Sequence, residues 1–245
     1  VKGDFGVSYS IGANVPITQL LQTKLPTSIR LGGQAVLLGA TLGLLLGLLA
    51  ALKHNTIFDT IATIISVLGV SLPSYVFALS LLYVFGYKLS WLPILYQLDN
   101  PFESSILPTI ALSMFSMANI ARFTRTEMLE VLHSDYMLLA ESKGISGPKL
   151  IIRHALRNAL IPIITVLGPL IVNTMTGSLV IEKIFAIPGI GELMVRSIQQ
   201  NDYNVTIALS FVYSVMYIGI MLLVDILYGI IDPRIRLSQG DSHES

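Results

Sequence analysis

Long uncharged apolar runs limit what this chain can fold into. A helix that crosses a membrane needs about 20 apolar residues, because the hydrocarbon core is about 30 Å thick and each helical residue rises about 1.5 Å. Five stretches meet this requirement: residues 31–52, 60–87, 104–121, 158–181 and 205–231. Four of them carry no charge, and the last carries only Asp225. The sequence therefore predicts an all-α, polytopic membrane protein with five spans.

Composition agrees with a membrane protein and argues against several kinds of chemistry. Only 12% of the residues are charged, about half of what a soluble domain usually carries. The formal net charge is zero, so no overall field would attract nucleic acid. The chain has no cysteine, which excludes thiolate metal sites and a cysteine nucleophile. No phosphate-binding G-x-x-x-x-G-K-[ST] loop is present. We therefore expect no metal, no cofactor and no catalytic site in this chain.

The basic residues indicate an orientation in the membrane. With the C-terminus in the cytoplasm, nine Lys and Arg residues lie inside and six outside, and six of the nine fall in one loop. The positive-inside rule therefore favours this orientation. It predicts an extracellular segment at 1–30, a transmembrane domain at 31–231 with a cytoplasmic loop at 122–157, and a cytoplasmic tail at 232–245.

The first span carries glycine at every fourth position, at Gly39, Gly43 and Gly47. Small residues at this spacing share one helix face and let a second helix approach closely. The pattern therefore predicts a helix–helix contact along this face. The alternative is that glycine is simply common in membrane helices.

The loop at 122–157 predicts two short helices. A T-x-x-E capping box at Thr124 indicates a helix start, and Gly144 can adopt the left-handed conformation that ends a helix. Ser146 followed by Pro148 predicts a second helix that runs on into the fourth span. Apolar faces on these helices should not lie bare in water. Either both helices rest on the bilayer, or one of them docks into a cytoplasmic partner.

The same loop resembles a known family. Residues 121–144 read ARFTRTEMLEVLHSDYMLLAESKG, and residues 153–162 read RHALRNALIP. Both are similar to the oligopeptide/dipeptide/nickel permease branch of the ATP-binding-cassette (ABC) importers, and fit it much better than they fit the general EAA motif of those importers. Shorter similar fragments follow in the family's order: GDFGVSY at 3–9, SLPSY at 71–75, WLP at 91–93, ILPTIAL at 106–112, FAIPGIG at 185–191 and DPRIR at 232–236.

The resemblance implies a fold, a function and a set of partners. The fold is that of a type I ABC importer transmembrane domain, and the function is that of the permease subunit that moves peptides into a bacterial cell through its plasma membrane. A second homologous permease, two cytoplasmic subunits that bind ATP and Mg, and an extracellular substrate-binding protein would complete the transporter. Family members normally have one more helix before the position of residue 1. We therefore expect a six-span protein whose first helix is missing from this chain.

The resemblance also nominates functional residues. In the family, residues at the positions of 136–146 form a coupling helix that the ATP-binding subunits hold. The candidates in this loop are Tyr136, Leu139, Ala140, Glu141, Lys143, Gly144, Arg153 and His154. Pro188, Gly189 and Gly191 are candidates for contact with the substrate-binding protein, the alternative being a linker that rests at the membrane interface.

Polar residues inside the spans are candidates for the translocation path. These are Asn173, Thr176 and Asp225, because a peptide moving through a pore needs hydrogen-bonding partners along its way. For Asp225 the alternative explanation is a hydrogen bond between two helices, since a charge in the membrane should face protein or water.

Other functions remain to be weighed against a peptide permease. Within the family, the importer could carry nickel or glutathione. A stand-alone channel or ion-driven carrier is a different class, but the spans hold no Lys–Asp or His relay for ions. A membrane enzyme is disfavoured, because no catalytic constellation is present. The substrate itself does not follow from this chain, since the binding protein would set most of the specificity.

Overall fold

The computed structural model describes residues 5–231, but at positions 173, 176, 177, 228, 230 and 231 it describes the backbone alone. The predicted tail at 232–245 lies outside these residues. The helices are α1 Ile17–Leu52, α2 Ile57–Ser71, α3 Ser74–Leu81, α4 Pro101–Leu132, α5 Asp135–Ser142, α6 Gly147–Leu150, α7 Arg157–Ile184, α8 Ile190–Gln199 and α9 Tyr203–Ile231. Two π-helical segments, Leu82–Lys88 and Ile151–Leu156, extend α3 and join α6 to α7. Within the described range the chain forms no strand, only an isolated bridge between Val7 and Pro16.

All five predicted spans are helical, so the all-α prediction is confirmed. Four helices are long and apolar enough to cross a membrane, and the bent pair of α2 with α3 makes a fifth if the pair is counted as one span. The bounds differ most from the prediction in two places. The first helix begins at Ile17 rather than at residue 31, and the third span reaches Leu132.

The predicted helix start at Thr124 is wrong, because α4 runs through this position without a break. Thr124 is fully buried. A Cβ on Gly47 of α1 would lie 2.6 Å from the Thr124 Cβ, so the two helices touch here. Packing against α1 therefore stabilises α4 as one continuous helix through Thr124, although the local sequence is typical of a helix start.

The glycine stripe of α1 packs against α4, as the spacing predicts. A Cβ on Gly43 would lie 2.7 Å from the carbonyl oxygen of Met117, and one on Gly47 would lie 2.5 Å from that of Ala121. Real Cβ atoms do not approach this closely, so only glycine allows the two backbones to meet. The predicted helix–helix contact is confirmed.

The bundle has two ends. We call the loop end the one that carries the α1–α2 turn and the segment between α4 and α7, residues 53–56 and 133–156. We call the far end the one that carries the start of the described chain and the remaining connections, residues 5–16, 89–100 and 185–202. The long helix α4 joins both ends. At 32 residues and about 1.5 Å per residue it is about 48 Å long, and it contacts α1, α2, α3 and α7.

Candidate functional site

The helix α5 is attached to the loop end of the bundle by buried apolar contacts. Met137 and Ala140 are buried, and they pack in a cluster that includes Met128 of α4 and Leu150 of α6. The opposite side is exposed and apolar, with 41%, 61% and 56% of the surface accessible at Tyr136, Leu138 and Leu139. The short helix thus shows one apolar side to the bundle and another to the surroundings.

A glycine turn ends α5, as the sequence predicts. Gly144 has a φ of +80°, in the left-handed region that favours glycine. Its N–H donates to the Glu141 carbonyl at 2.8 Å, and the N–H of Ile145 donates to the Ala140 carbonyl at 3.2 Å. No other atom lies within 4 Å of where a Cβ would stand. Backbone conformation alone, and no crowding, therefore requires glycine here.

The remaining loop candidates lie around α5 and on the helix that follows. Glu141, Lys143 and Arg153 are exposed, and His154 is half-buried. Ser146 does precede α6, as predicted, although its side chain makes no capping hydrogen bond. From there α6, the π-helical segment and α7 follow one another without interruption. The predicted second helix that leads into the fourth span is confirmed.

An ion pair at the loop end has no signal in the sequence. Arg125 of α4 holds Asp59 of α2 with two nitrogens, Nε to Oδ1 at 2.6 Å and Nη2 to Oδ2 at 2.9 Å. His54 and the N–H of Asn55 also contact Asp59, each at 3.1 Å. Asp59 is 95% buried. This cluster fixes the α1–α2 turn to α4 about two helical turns before α4 ends.

The far end is organised around a buried carboxylate. Glu182, in the last turn of α7, has no exposed surface. Its Oε1 accepts hydrogen bonds from Ser28 at 2.7 Å and Ser178 at 3.1 Å, and its Oε2 accepts from the N–H of Glu192 at 3.0 Å. The N–H of Ile190 in turn donates to the Ser28 hydroxyl at 2.9 Å. One carboxylate thus joins α1, α7 and the start of α8.

The three candidates for contact with a binding protein lie beside this carboxylate. Gly189 and Gly191 are buried and Pro188 is half-buried. A Cβ on Gly189 would collide with the carboxyl group of Glu182, and one on Gly191 would lie 2.8 Å from Glu182 Oε2. The need to enclose this carboxylate explains both glycines without a partner protein.

A second carboxylate ties the first described residues to the turn between α8 and α9. Asp202 is fully buried. Its Oδ2 accepts hydrogen bonds from the Ser8 hydroxyl at 2.5 Å and from the N–H groups of Tyr9, Ser10 and Ile11 at 3.0, 2.9 and 3.2 Å. Burial alone would raise the pKa of Asp202, but these hydrogen bonds outweigh it and hold the pKa at about 2.

The structure answers only part of the prediction for the translocation path. The side chains of Asn173 and Thr176 lie outside its described part, although both positions are on α7. Asp225 is exposed on α9 and accepts no hydrogen bond from a described residue. The helix–helix hydrogen bond therefore does not form within this part of the chain.

A hollow opens where α2 meets α3, and the sequence does not predict it. Its volume is about 620 Å³. The connection at 69–74 forms one wall, α4 forms a second, and Thr174 of α7 lies on a third. Its hydroxyl-bearing residues are Ser71, Ser74 and Thr174. The SLPSY fragment marks this region in the sequence, but nothing local indicates a cavity.

Residues 43–237 match the family described as the binding-protein-dependent transport system inner membrane component. The chain belongs to this family. It is 45% identical over 235 residues to the dipeptide transport system permease protein DppB of Lactococcus lactis subsp. cremoris, a match that covers 96% of this chain and 77% of the relative. Against the oligopeptide transport system permease protein OppB of Haemophilus influenzae the identity is 42%, over 96% and 76% of the two chains.

Solved structures agree on the fold of this permease. The methionine ABC transporter MetNI in an inward-facing conformation aligns with a TM-score of 0.73 at 13% identity, covering 88% of this chain and 98% of that one. A crystal structure of an amino acid ABC transporter with histidines aligns with a TM-score of 0.67 at 18% identity, over 86% and 94% of the two chains. The permease therefore has the fold of a type I ABC importer transmembrane domain. Its family makes it the inner-membrane component of a binding-protein-dependent transport system.

Proposed function

We propose that this permease forms part of the pore of an importer for peptides. Its relatives in Lactococcus lactis, Bacillus subtilis and Haemophilus influenzae are named as dipeptide or oligopeptide permeases, and the similarity to each covers 96% of this chain. This breadth supports a peptide substrate. Separate ATP-binding subunits would bind ATP and Mg and hydrolyse the ATP.

The observation that carries the proposal is the exposed apolar side of α5. An apolar helix face at the water-exposed end of a membrane protein favours a protein partner. The buried contacts of Met137 and Ala140 would transmit a movement of α5 to α4. Because α4 is a single helix that reaches the far end, such a movement would shift the bundle as a rigid body. We infer that an ATP-binding subunit holds α5 here, and that Glu141, Lys143, Arg153 and His154 border the contact.

This assignment sets the orientation and the remaining partners. The loop end would face the cytoplasm, in agreement with its basic residues, and the far end would face outward. A second permease would complete the pore, a second ATP-binding subunit would hold it, and a substrate-binding protein would deliver peptide to the far end. Contact of the substrate-binding protein at Pro188, Gly189 and Gly191 remains a prediction. A path lined by Asn173, Thr176 and Asp225 also remains a prediction.

Transport by the complete transporter in proteoliposomes tests the proposal. We expect ATP-dependent uptake of a short peptide, and no ATP hydrolysis by the purified permease alone. Gly144→Asp puts a charged side chain on a strained backbone at the coupling turn. It should abolish uptake while the permease still inserts and assembles. Ala13→Asp, which adds the same charge at an exposed far-end position, is the matched control.

Three results would contradict the proposal in different ways. Normal uptake with Gly144→Asp would refute coupling through this turn. Sustained ATP turnover by the permease alone would refute the division of labour between subunits. Uptake of nickel or glutathione without uptake of any peptide would refute the substrate class and leave the rest intact.

A further inference from the structure

One connection interrupts the helical backbone halfway across the bundle. α2 ends at Ser71 and α3 begins at Ser74, and the two axes differ in direction by 108°. Pro73 explains the break, because it lacks an N–H and pushes the preceding residue, Leu72, into an extended conformation. The break lies beside the middle of α4, since a Cβ on Gly69 would stand 2.6 Å from the Ala118 Cβ.

The two helices still cross the bundle as one span. α2 begins at the loop end, where Asp59 meets Arg125. α3 continues to the far end, where Ala78 and Leu81 pack with Phe185. The break therefore lies near the middle of the membrane, at a depth where lipid offers no hydrogen bonds.

The break leaves polar groups without partners in the described chain. The first N–H of α3 with a backbone acceptor is that of Val76, which donates to the Pro73 carbonyl at 3.0 Å. The hydroxyls of Ser66 and Ser80, on the same two helices, donate to carbonyls four residues earlier. Those of Ser71 and Ser74 are exposed and make no such bond among the described residues.

These groups face the hollow of about 620 Å³ described above. Besides the polar break, its walls carry the apolar side chains of Phe77, Met114 and Phe115. A different hollow of about 540 Å³, between α1, α7 and α9, is lined by glycine and apolar side chains only, such as Ile29, Val36 and Leu223. Lipid chains suit that second hollow, whereas the first needs water or a polar ligand.

Membrane physics limits what can fill the hollow at the break. Irregular backbone at membrane depth is tolerated only where it is buried in protein or lines a water-filled cavity. Here the break is exposed from Ser71 to Tyr75, so burial within this chain does not satisfy it. In transporters, the ends of discontinuous helices often hold polar groups of the substrate.

We propose that the α2–α3 break binds the main chain of the transported peptide. This inference rests on the proposed function, peptide import. A peptide main chain offers N–H donors and carbonyl acceptors in alternation. The break offers complementary groups, carbonyls at the end of α2 and N–H groups and hydroxyls at the start of α3. Recognition of the main chain would suit peptides of different sequence, because the flexible side chain of Met114 can adapt to different side chains.

Single cysteines test the proposal directly, because residues 1–245 contain no cysteine. Ser71→Cys and Ser74→Cys place a thiol at the break. Ser80→Cys is the matched control, an exposed serine on the same helix that does not line the hollow. The complete transporter in lipid nanodiscs is treated with a charged, membrane-impermeant methanethiosulfonate, and labelling is read on the separated permease chain. Labelling is repeated with peptide-loaded binding protein and ATP.

We expect both break positions to react at least several-fold faster than the control, and peptide to slow the reaction at these two positions only. Ser71→Ala combined with Ser74→Ala should lower the maximal uptake rate roughly threefold to tenfold, the effect of losing one or two hydrogen bonds. Ser80→Ala should leave uptake unchanged.

Two outcomes would overturn this inference alone, in a transporter that imports peptide. One is labelling at the break as slow as at the control. The other is fast labelling that peptide does not change. A transporter without any ATP-dependent peptide uptake would instead overturn the proposed function, and this inference with it.

Discussion

The far end of the permease and the helix α5 at the loop end are held in place by different forces. At the far end, two fully buried carboxylates, Glu182 and Asp202, collect hydrogen bonds from hydroxyls and backbone N–H groups. At the loop end, α5 is held by apolar contacts of Met137 and Ala140 and by a glycine turn. The far end thus depends on directional bonds, and α5 depends mostly on packing.

This difference agrees with the function proposed for each end, which is docking of a binding protein at the far end and movement of α5 at the loop end. Hydrogen bonds to a buried carboxylate require a fixed geometry, and a bond left unmade there is costly. Apolar burial has no preferred direction, so a helix held by it can tilt without losing all of its contacts. A rigid outer surface suits the docking of a binding protein, and a less rigid α5 suits a helix that an ATP-binding subunit moves.

The largest effect should come from removing the carboxylate of Glu182. Glu182→Ala leaves buried donors of Ser28 and of the Glu192 backbone without an acceptor. We expect a loss of about 3 kcal/mol or more in the free energy of unfolding, since each unsatisfied buried donor costs about 1–3 kcal/mol. Thermal unfolding of the purified permease measures this loss.

Glu192→Gln is the matched control for that variant. Its side chain pairs with Lys24 at 3.1 Å and remains partly exposed, so its loss should cost only about 0–1 kcal/mol. If both variants unfold at the same temperature, the far end does not depend on the buried carboxylate, and the contrast between the two ends is lost.

Acid should loosen the far end through Asp202. The pKa of this group is lowered from 3.8 to about 2 in the folded protein. Its contribution to stability is therefore complete above about pH 4 and disappears as the pH falls toward 2. The protection of the amides of Tyr9, Ser10 and Ile11 against hydrogen exchange, measured relative to the intrinsic rate at each pH, should fall in this window. Asp202→Asn should remove the pH dependence at a cost of about 1–3 kcal/mol.

Asp99→Asn provides the comparison for the acid effect, because Asp99 is an exposed aspartate of the same end. It should leave the pH dependence of exchange as it is. Unchanged protection of the Tyr9, Ser10 and Ile11 amides down to pH 2 in the unsubstituted permease would show that Asp202 does not hold this segment.

The pair of Arg125 and Asp59 is the directional bond of the loop end, and it sharpens the comparison. Arg125→Lys keeps the charge but cannot make two parallel hydrogen bonds. A double-mutant cycle with Asp59→Asn should give a coupling energy of about 0.5–3 kcal/mol. Arg122→Lys, at an exposed neighbouring position, should show no coupling to Asp59. Equal coupling for both arginines would mean that long-range charge, and not this contact, joins α2 to α4.

The smallest effect is expected at the glycine turn. Gly144→Ala forces an L-residue to a φ of +80°, which costs about 1–2 kcal/mol. Gly33→Ala is the control, because Gly33 lies inside α1 with no atom near its Cβ position. It should be neutral or stabilise by up to about 1 kcal/mol, as alanine favours a helix. Limited proteolysis at the loop should distinguish the two, and equal cleavage would remove any special role for the turn.

Features with a local or periodic signal could be predicted from the sequence. The apolar runs predict the spans, the four-residue glycine spacing predicts the α1–α4 contact, and Gly144 predicts the end of α5. In each case the cause lies within one helix or one turn. The capping box at Thr124 shows the limit of such local signals. It predicts a helix start, but packing against Gly47 of α1 keeps α4 continuous at this position.

Features that join distant parts of the chain could not be predicted. Glu182 bonds a serine 154 positions away, Asp202 bonds one 194 away, and Arg125 meets Asp59 across 66 positions. No pattern in a single sequence brings such pairs together. The glycines at 189 and 191 signal a close approach, but only the fold identifies Glu182 as the group they enclose. The hollow at the α2–α3 break could not be predicted for the same reason, because α4 and α7 form its other walls.

Cross-linking from α5 tests the central claim most directly. Residues 1–245 contain no cysteine. Leu139→Cys therefore places a single thiol in this segment on the exposed side of the helix, and Leu98→Cys places one at an exposed leucine of the far end. In the complete, active transporter, a short thiol-directed photo-cross-linker at residue 139 should capture an ATP-binding subunit, with a yield that changes when ATP is added. The same reagent at residue 98 should capture none. An active transporter in which residue 139 reaches only lipid would contradict the account.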